Sequence, residues 1–231
     1  MTIQRLRFRY ALEAAACDLG QRELIDAWQE ACAQAGLTLA GSETRRPSSL
    51  LSLAAPLPRG VTSSCELIDV LFDGAVPAEQ VLARIAPRLS PGIEPASVEE
   101  VGPHLPSIQS QVRWAEYEAR ADGVDPAAVR STITSMLDAT TLPSEYRREK
   151  KVREYDLRAL ILDLSLASGT KGCALIVMRL RAEPERTARA DQVAVALGLP
   201  SSAQIRRTRL VLEEILPVLS AYRRAAHRGE F

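Results

Sequence analysis

The sequence holds few of the side chains that build reactive centres and many that bind anions. Its cysteines, Cys17, Cys32, Cys65 and Cys173, stand more than ten positions apart. Iron–sulfur clusters and zinc knuckles draw on closely spaced thiolates, so these read as small core residues in a reducing compartment. The imidazoles are His104, in a proline-rich stretch, and His227, near the C-terminus. No HExxH, EF-hand, GxxxxGK[ST] or GxGxxG pattern occurs to hold a metal or cradle phosphates. The pairs Glu99-Glu100 and Glu213-Glu214 are sequence neighbours. On a strand, neighbours point to opposite faces, which makes them poor acid–base couples. No catalytic residue, metal ligand or resident cofactor is assigned from these features, and the chain reads as a binding protein rather than an enzyme.

The basic residues carry more information. Arg5, Arg7 and Arg9 alternate with Leu6, Phe8 and Tyr10. On a strand they would project from one face at intervals of about 7 Å, a stripe able to track a nucleic-acid backbone. The competing reading pairs them with carboxylates on neighbouring strands. Arg147, Arg148, Lys150, Lys151 and Arg153 form a second cluster, interrupted by Glu149, Glu154 and Asp156, which reads otherwise as a solvated hairpin. Arg206, Arg207 and Arg209 form a third, and Arg45, Arg46, Arg158 and Arg189 complete the candidate anion contacts. Phe8 and Tyr10 share the apolar face of their strand, so base stacking on an open sheet is not expected there. Phosphate contacts would dominate any RNA binding.

The elements that must position these groups follow from hydrophobic period. Leu6, Phe8 and Tyr10 mark a strand; Leu24, Trp28, Ala31, Cys32 and Ala35 mark a helix over about 21–35, ended by Gly36. Leu50–Ala55 and Cys65–Phe72 read as strands, Pro77 opens a helix carrying Val81, Leu82, Ile85 and Leu89, and Ile93–Val101 reads as a strand. Turn formers at 102–108 mark a boundary, and the pattern restarts. Val112, Trp114 and Tyr117 suggest a strand, and Asp125-Pro126 starts a helix with Val129, Ile133, Met136 and Leu137 on one face. Leu160, Leu162, Leu164 and Leu166 alternate in one strand, and Ala174, Ile176, Met178 and Leu180 in the next. A helix at 190–197 closed by Gly198, a strand at 204–213, and a helix over Leu212–Ala226 bent at Pro217 finish the chain. The expected fold is α+β: two consecutive ferredoxin-like βαββαβ halves, 1–103 and 108–231, with a C-terminal helical tail.

Several stretches together carry a family likeness. They are Arg148-Glu149-Lys150-Lys151-Val152-Arg153-Glu154-Tyr155-Asp156-Leu157-Arg158, Ala188-Arg189-Ala190-Asp191-Gln192-Val193 and Ile205-Arg206-Arg207-Thr208-Arg209-Leu210, with Arg5-Leu6-Arg7-Phe8-Arg9-Tyr10, Ala35-Gly36-Leu37 and Leu57-Pro58-Arg59-Gly60-Val61. In order and spacing they resemble the domain of unknown function linked to cobalamin-binding radical SAM proteins. The chain departs from that family at Gly20-Gln21-Arg22-Glu23, where relatives carry Ser-His-Leu-Asp, and at Arg46-Pro47-Ser48-Ser49, where they carry Asn-Pro-His-Pro. Both imidazoles are replaced. The resemblance implies a radical SAM and cobalamin protein as partner, in gene settings near RNA-processing and ribosome genes.

Lys plus Arg equals Asp plus Glu at 29 each, so no global field draws the molecule to nucleic acid or an anionic membrane, and any such binding is local. A hydrophobic fraction of 46% supports a folded core, no apolar run is long enough for a span, and the cytoplasm is the expected location. The leading expectation is a non-catalytic accessory protein that docks on the radical SAM and cobalamin protein and contacts RNA through arginines and lysines. The alternatives are a metal-independent RNA-processing enzyme on a duplicated ferredoxin-like fold and a purely structural interaction protein.

Overall fold

The computed structural model describes residues 3–41, 50–102, 105–148, 151–170 and 172–213, with 146–148 and 151–153 described as backbone. Arg45, Arg46, His104, Lys150, His227 and most of the expected C-terminal helix lie outside the described residues.

The first half begins with β1 (Ile3–Leu12), whose Leu6, Phe8, Tyr10 and Leu12 are buried. They meet α1 (Gln21–Gln34), which turns Leu24, Trp28, Ala31 and Cys32 inward at helical spacing. The Trp28 ring lies 5.2 Å from Phe8 and 5.3 Å from Tyr10, tilted against both, the geometry aromatic quadrupoles favour. Gly36 ends the helix at φ +64°, a conformation costly for other residues. Next come β2 (Leu51–Leu53), β3 (Thr62–Asp73), α2 (Ala78–Ile85) with a 3₁₀ turn at Ala86–Arg88, and β4 (Ile93–Val101). The expected Leu50–Ala55 strand is thus only three residues long.

The second half runs through a single turn α3 (Ile108–Gln111), β5 (Val112–Val124), α4 (Pro126–Asp138), β6 (Pro143–Arg148), β7 (Lys151–Asp156), β8 (Ile161–Thr170), β9 (Gly172–Glu183), β10 (Arg186–Thr187), α5 (Ala190–Ala196) and β11 (Gln204–Leu212). The Asp125 carboxylate accepts from the Ala127 N–H at 3.0 Å and caps α4. Burial sets the inner face of β5 and corrects the one expected for β8. Ala115, Tyr117, Ala119 and Ala121 are the buried row of β5, leaving Trp114 on the other face. Leu160 lies in a 3₁₀ turn and Leu162 is 40% exposed, because register shifts at Ile161/Asp163 and Leu166/Ser168 break the simple alternation of β8.

The architecture is α+β, with one large, mostly antiparallel sheet. In the first half the strand order is β4-β1-β3-β2, and in the second β11-β5-β9-β8, all antiparallel. The halves join where β11 runs parallel to β3, Arg206 opposite Thr62 and Arg207 opposite Ser63. The hairpin β6–β7 stands off this sheet as a separate two-stranded ribbon. One apolar core centres on Phe8, Trp28, Ile68 and Phe72. A second, around Tyr117, Ile176, Met178 and Val193, also takes in Ala54, Val61, Cys65 and Leu67 from the first half. No described helix is long and apolar enough to cross a membrane.

Candidate functional site

The candidate arginines separate into engaged and open groups. Arg5 and Arg7 do not form a free stripe with Arg9: both are buried and both reach the Asp69 carboxylate on β3. Arg5 also donates to the carbonyls of Leu105 at 2.8 Å and Pro106 at 2.9 Å, which ties the inter-half segment across β1. Arg9 is exposed. Arg158 donates to the carbonyls of Leu137 and Ile161, lacing the end of α4 to β8. Arg189 pairs with Asp191 at 2.7 Å. Arg206 forms a two-pronged pair with Glu13 at 2.9 and 2.8 Å, and its hydrogen bond holds the Glu13 carboxyl below the ordinary range. The pair is about a third exposed, so solvent screens it.

Arg207 is the most enclosed of the group, 1% exposed at the seam between halves. Its Nη1 donates to Glu66 Oε1 at 2.8 Å and Oε2 at 3.0 Å; its Nε and Nη2 donate to the Tyr117 hydroxyl at 3.0 and 2.9 Å; its Nη2 also reaches the Pro56 carbonyl at 2.9 Å. Burial pushes the Tyr117 and Tyr10 hydroxyls up, and Glu66 adds to the rise in both. Burial likewise pushes up the Cys65 thiol, whose Sγ lies 3.7 Å from Ser63 Oγ. A protonated, buried thiol is a poor nucleophile, and the polar groups of this constellation are engaged with one another across the seam.

Above this constellation lies a cleft of about 480 Å³. The Pro56–Pro58 loop supplies one wall, Tyr155, Asp156 and Leu160 at the exit of β7 a second, and the turn from Pro184 to Arg189 the third. Asp156 fixes the hairpin base by accepting from the N–H groups of Leu142 at 2.8 Å and Arg158 at 3.0 Å. Burial raises the Tyr155 hydroxyl, Asp191 adds to it, and Arg189 opposes it. The walls combine apolar and aromatic surface with the Tyr155 and Thr187 hydroxyls and with charges of both signs, Arg186 and Arg189 against Asp156 and Glu185, a composition suited to a flat, mostly apolar organic body.

The hairpin continues from this cleft. Its register sets Arg148 opposite Lys151, Tyr146 opposite Arg153 and Ser144 opposite Tyr155, while the intervening pairs are Arg147 with Val152 and Glu145 with Glu154. Alternation thus sorts most of the basic cluster into one row ending at Tyr155, with the paired glutamates in the other. The sequence singled out the cluster; it did not reveal the row, which depends on the turn position. Nor did it reveal the cleft, or Glu66 and Tyr117 as partners of Arg207. The visible signal for the last was a pair of acids, Glu66 and Asp69, inside the otherwise apolar run Cys65–Phe72. Among the described residues no group of three His, Cys, Asp or Glu converges as a metal set.

Comparison with solved structures gives distant likenesses. A chain of a Cbf5–Nop10–Gar1 complex aligns with a TM-score of 0.43 at 11% identity, over 96% of this chain and 56% of that one, so the chain spans little more than half of that protein's length. An unknown protein from Galdieria sulphuraria aligns at 0.27 and 14% identity, over 91% and 99% of the two chains. The acetolactate synthase small subunit from Thermotoga maritima aligns at 0.29 and 11%, over 94% and 100%. No curated protein matches the sequence. The sequence pattern of a bacterial family does match, across residues 5–190, from β1 to the start of α5. The chain therefore belongs to the family described as an uncharacterized protein conserved in bacteria, DUF2344.

Proposed function

We propose that this protein is a non-catalytic RNA-binding module, built from two ferredoxin-like halves, that works beside a radical SAM and cobalamin protein. The strand order of each half supports the fold reading. The partner follows from the family resemblance. One observation carries the RNA reading: the row of Arg148, Lys151 and Arg153 on a ribbon that stands off the sheet runs into Tyr155, a wall of the 480 Å³ cleft. A single strand laid along the ribbon would meet cations at its phosphates and apolar and aromatic walls at one base.

The reading predicts salt dependence without strong sequence preference. Three phosphate contacts to a single strand give a slope of log K against log salt of about −2. The test is fluorescence anisotropy of a labelled oligouridylate with the full chain, wild type and the triple variant Arg148→Ala, Lys151→Ala, Arg153→Ala, alongside co-purification from the native cell. The expected result is saturable binding, an affinity loss of about tenfold or more in the variant, and a slope reduced toward zero. Equal binding by both proteins, or none by the wild type in about 50 mM salt, overturns the RNA reading. Recovery without a radical SAM protein overturns the partner.

A further inference from the structure

We infer that the shallow pocket between β1 and β4, about 310 Å³ and separate from the hairpin cleft, is an oxyanion site for a phosphoryl group, held by Arg9, Arg7 and Ser97. The register builds it. On β1, Arg7 stands opposite Asp69 of β3 and Glu99 of β4, and Arg9 stands opposite Leu67 and Ser97, so all six share one row across three strands. Arg7 is 8% exposed and Asp69 3%, which places the floor of this pocket inside the protein.

Charge balance points to an anion. The Asp69 carboxylate carries both Arg5 and Arg7: Arg7 donates through Nε at 2.8 Å and Nη2 at 3.1 Å, and Arg5 donates through Nε at 2.9 Å. One carboxylate cannot neutralise two guanidinia, and the excess positive charge sits where water is largely excluded, so an incoming anion is attracted more strongly than at an open surface. Arg7 Nη1 has no hydrogen bond among the described residues, and the Arg9 side chain has no ion pair or hydrogen bond among them. The opposing group is Glu99, exposed at the rim on β4. With it counted, three guanidinia face two carboxylates. Glu99 is screened by water and the Asp69 cluster is not, so the local field remains positive.

The donor set selects the ligand class. Two guanidinium edges and the Ser97 hydroxyl offer N–H and O–H donors from different directions, which suits the several oxygens of a tetrahedral phosphoryl group better than a planar carboxylate. The phosphoryl group can belong to an RNA backbone or to a small phosphorylated molecule; the site chemistry is the same. This inference stands on β1, β3 and β4 alone and does not rest on the hairpin.

The test is calorimetric titration and thermal unfolding of the full chain with inorganic phosphate, ionic strength held constant with chloride. Wild type is expected to bind phosphate and unfold at higher temperature in it. Arg9→Ala, a change of an exposed side chain, should weaken phosphate by about tenfold, the scale of a lost charged hydrogen bond. Glu99→Gln should tighten it severalfold, a direction that a merely structural role would not produce. Competition with 5′-phosphorylated and 5′-hydroxyl tetranucleotides then assigns the source: displacement by both identifies a backbone phosphate, displacement by the phosphorylated one alone identifies a terminal or free phosphoryl group. Absence of phosphate stabilisation beyond the chloride control, unchanged affinity in Arg9→Ala, or weaker binding in Glu99→Gln overturns the site. The hairpin triple variant should keep its phosphate affinity, so this proposal and the hairpin reading fail separately.

Discussion

Replacing Arg207 by Met tests what joins the two halves. The substitution keeps much of the side-chain volume and removes the guanidinium, leaving the Glu66 carboxylate, 4% exposed, without its cation, and the Tyr117 hydroxyl and Pro56 carbonyl without their donor. Breaking a buried pair from one side costs about 3–5 kcal/mol, because the orphaned charge stays desolvated. In a chain of this length that is a fall of roughly 6–20 °C in Tm, using about 2–4 °C per kcal/mol. The double variant Glu66→Leu, Arg207→Met removes both charges and should recover to within about 1–2 kcal/mol of wild type, since an apolar pair of similar volume avoids the desolvation of either ion. Urea unfolding of the four proteins in this cycle gives the coupling directly. A loss below about 1 kcal/mol in the single variant, or a double variant no more stable than the single, would refute the reasoning. Because Arg207 also holds the Pro56 carbonyl at the edge of the cleft, the single variant should weaken oligouridylate binding even where it remains folded.

Two further perturbations probe the packing. Burial pushes the Cys32 thiol up from 9.0 to about 12, and raises the Tyr10 and Tyr117 hydroxyls. The folded values lie above the unfolded ones, so this stability is intact below about pH 9 and is lost as pH rises and the unfolded chain ionises first; Cys32 alone contributes a loss on the order of 2–3 kcal/mol by pH 11. Urea midpoints should fall between pH 8 and 11, less so in Cys32→Ala, and a flat profile would contradict the burial. Gly92→Ala places a Cβ at φ +87° and only 2.8 Å from the Ala16 backbone nitrogen, where the chain after β1 folds against it. Strain and displacement should cost about 1–3 kcal/mol, and a thermal shift within error of zero would show that the turn relaxes freely.

The elements legible in the sequence are those whose period matches a buried face. Trp28 with Leu24, Ala31 and Cys32 announced α1, and Asp125-Pro126 and Gly198 marked helix ends that the structure reproduces at Pro126 and near Ala196. The β6–β7 ribbon had no such signal as strands. Charged residues fall on both of its rows, and backbone pairing holds it together, so hydrophobic alternation had nothing to report. In β8 the alternation of leucines was present and misleading, because each register shift moves the following side chains to the other face.

The arginine stripe of β1 shows why basic residues resist assignment from pattern alone. Alternating arginine and apolar residues describe a strand with one wet face, and β1 lies between β3 and β4 with its arginine row largely covered. What decides the outcome is on another strand. Asp69 and Glu66 sit within the buried run of β3, and a carboxylate there is tolerable only with a cation beside it. Asp69 takes Arg5 and Arg7 from the first half, and Glu66 takes Arg207 from the second. Two acids on one strand therefore divide these arginines into those engaged inside the fold and those left open. Arg9 falls in the second group because its partners across the row are Leu67 and Ser97, neither of which carries charge. In a molecule of zero formal net charge, that division leaves uncompensated cations only locally, which is the condition the proposed anion sites require.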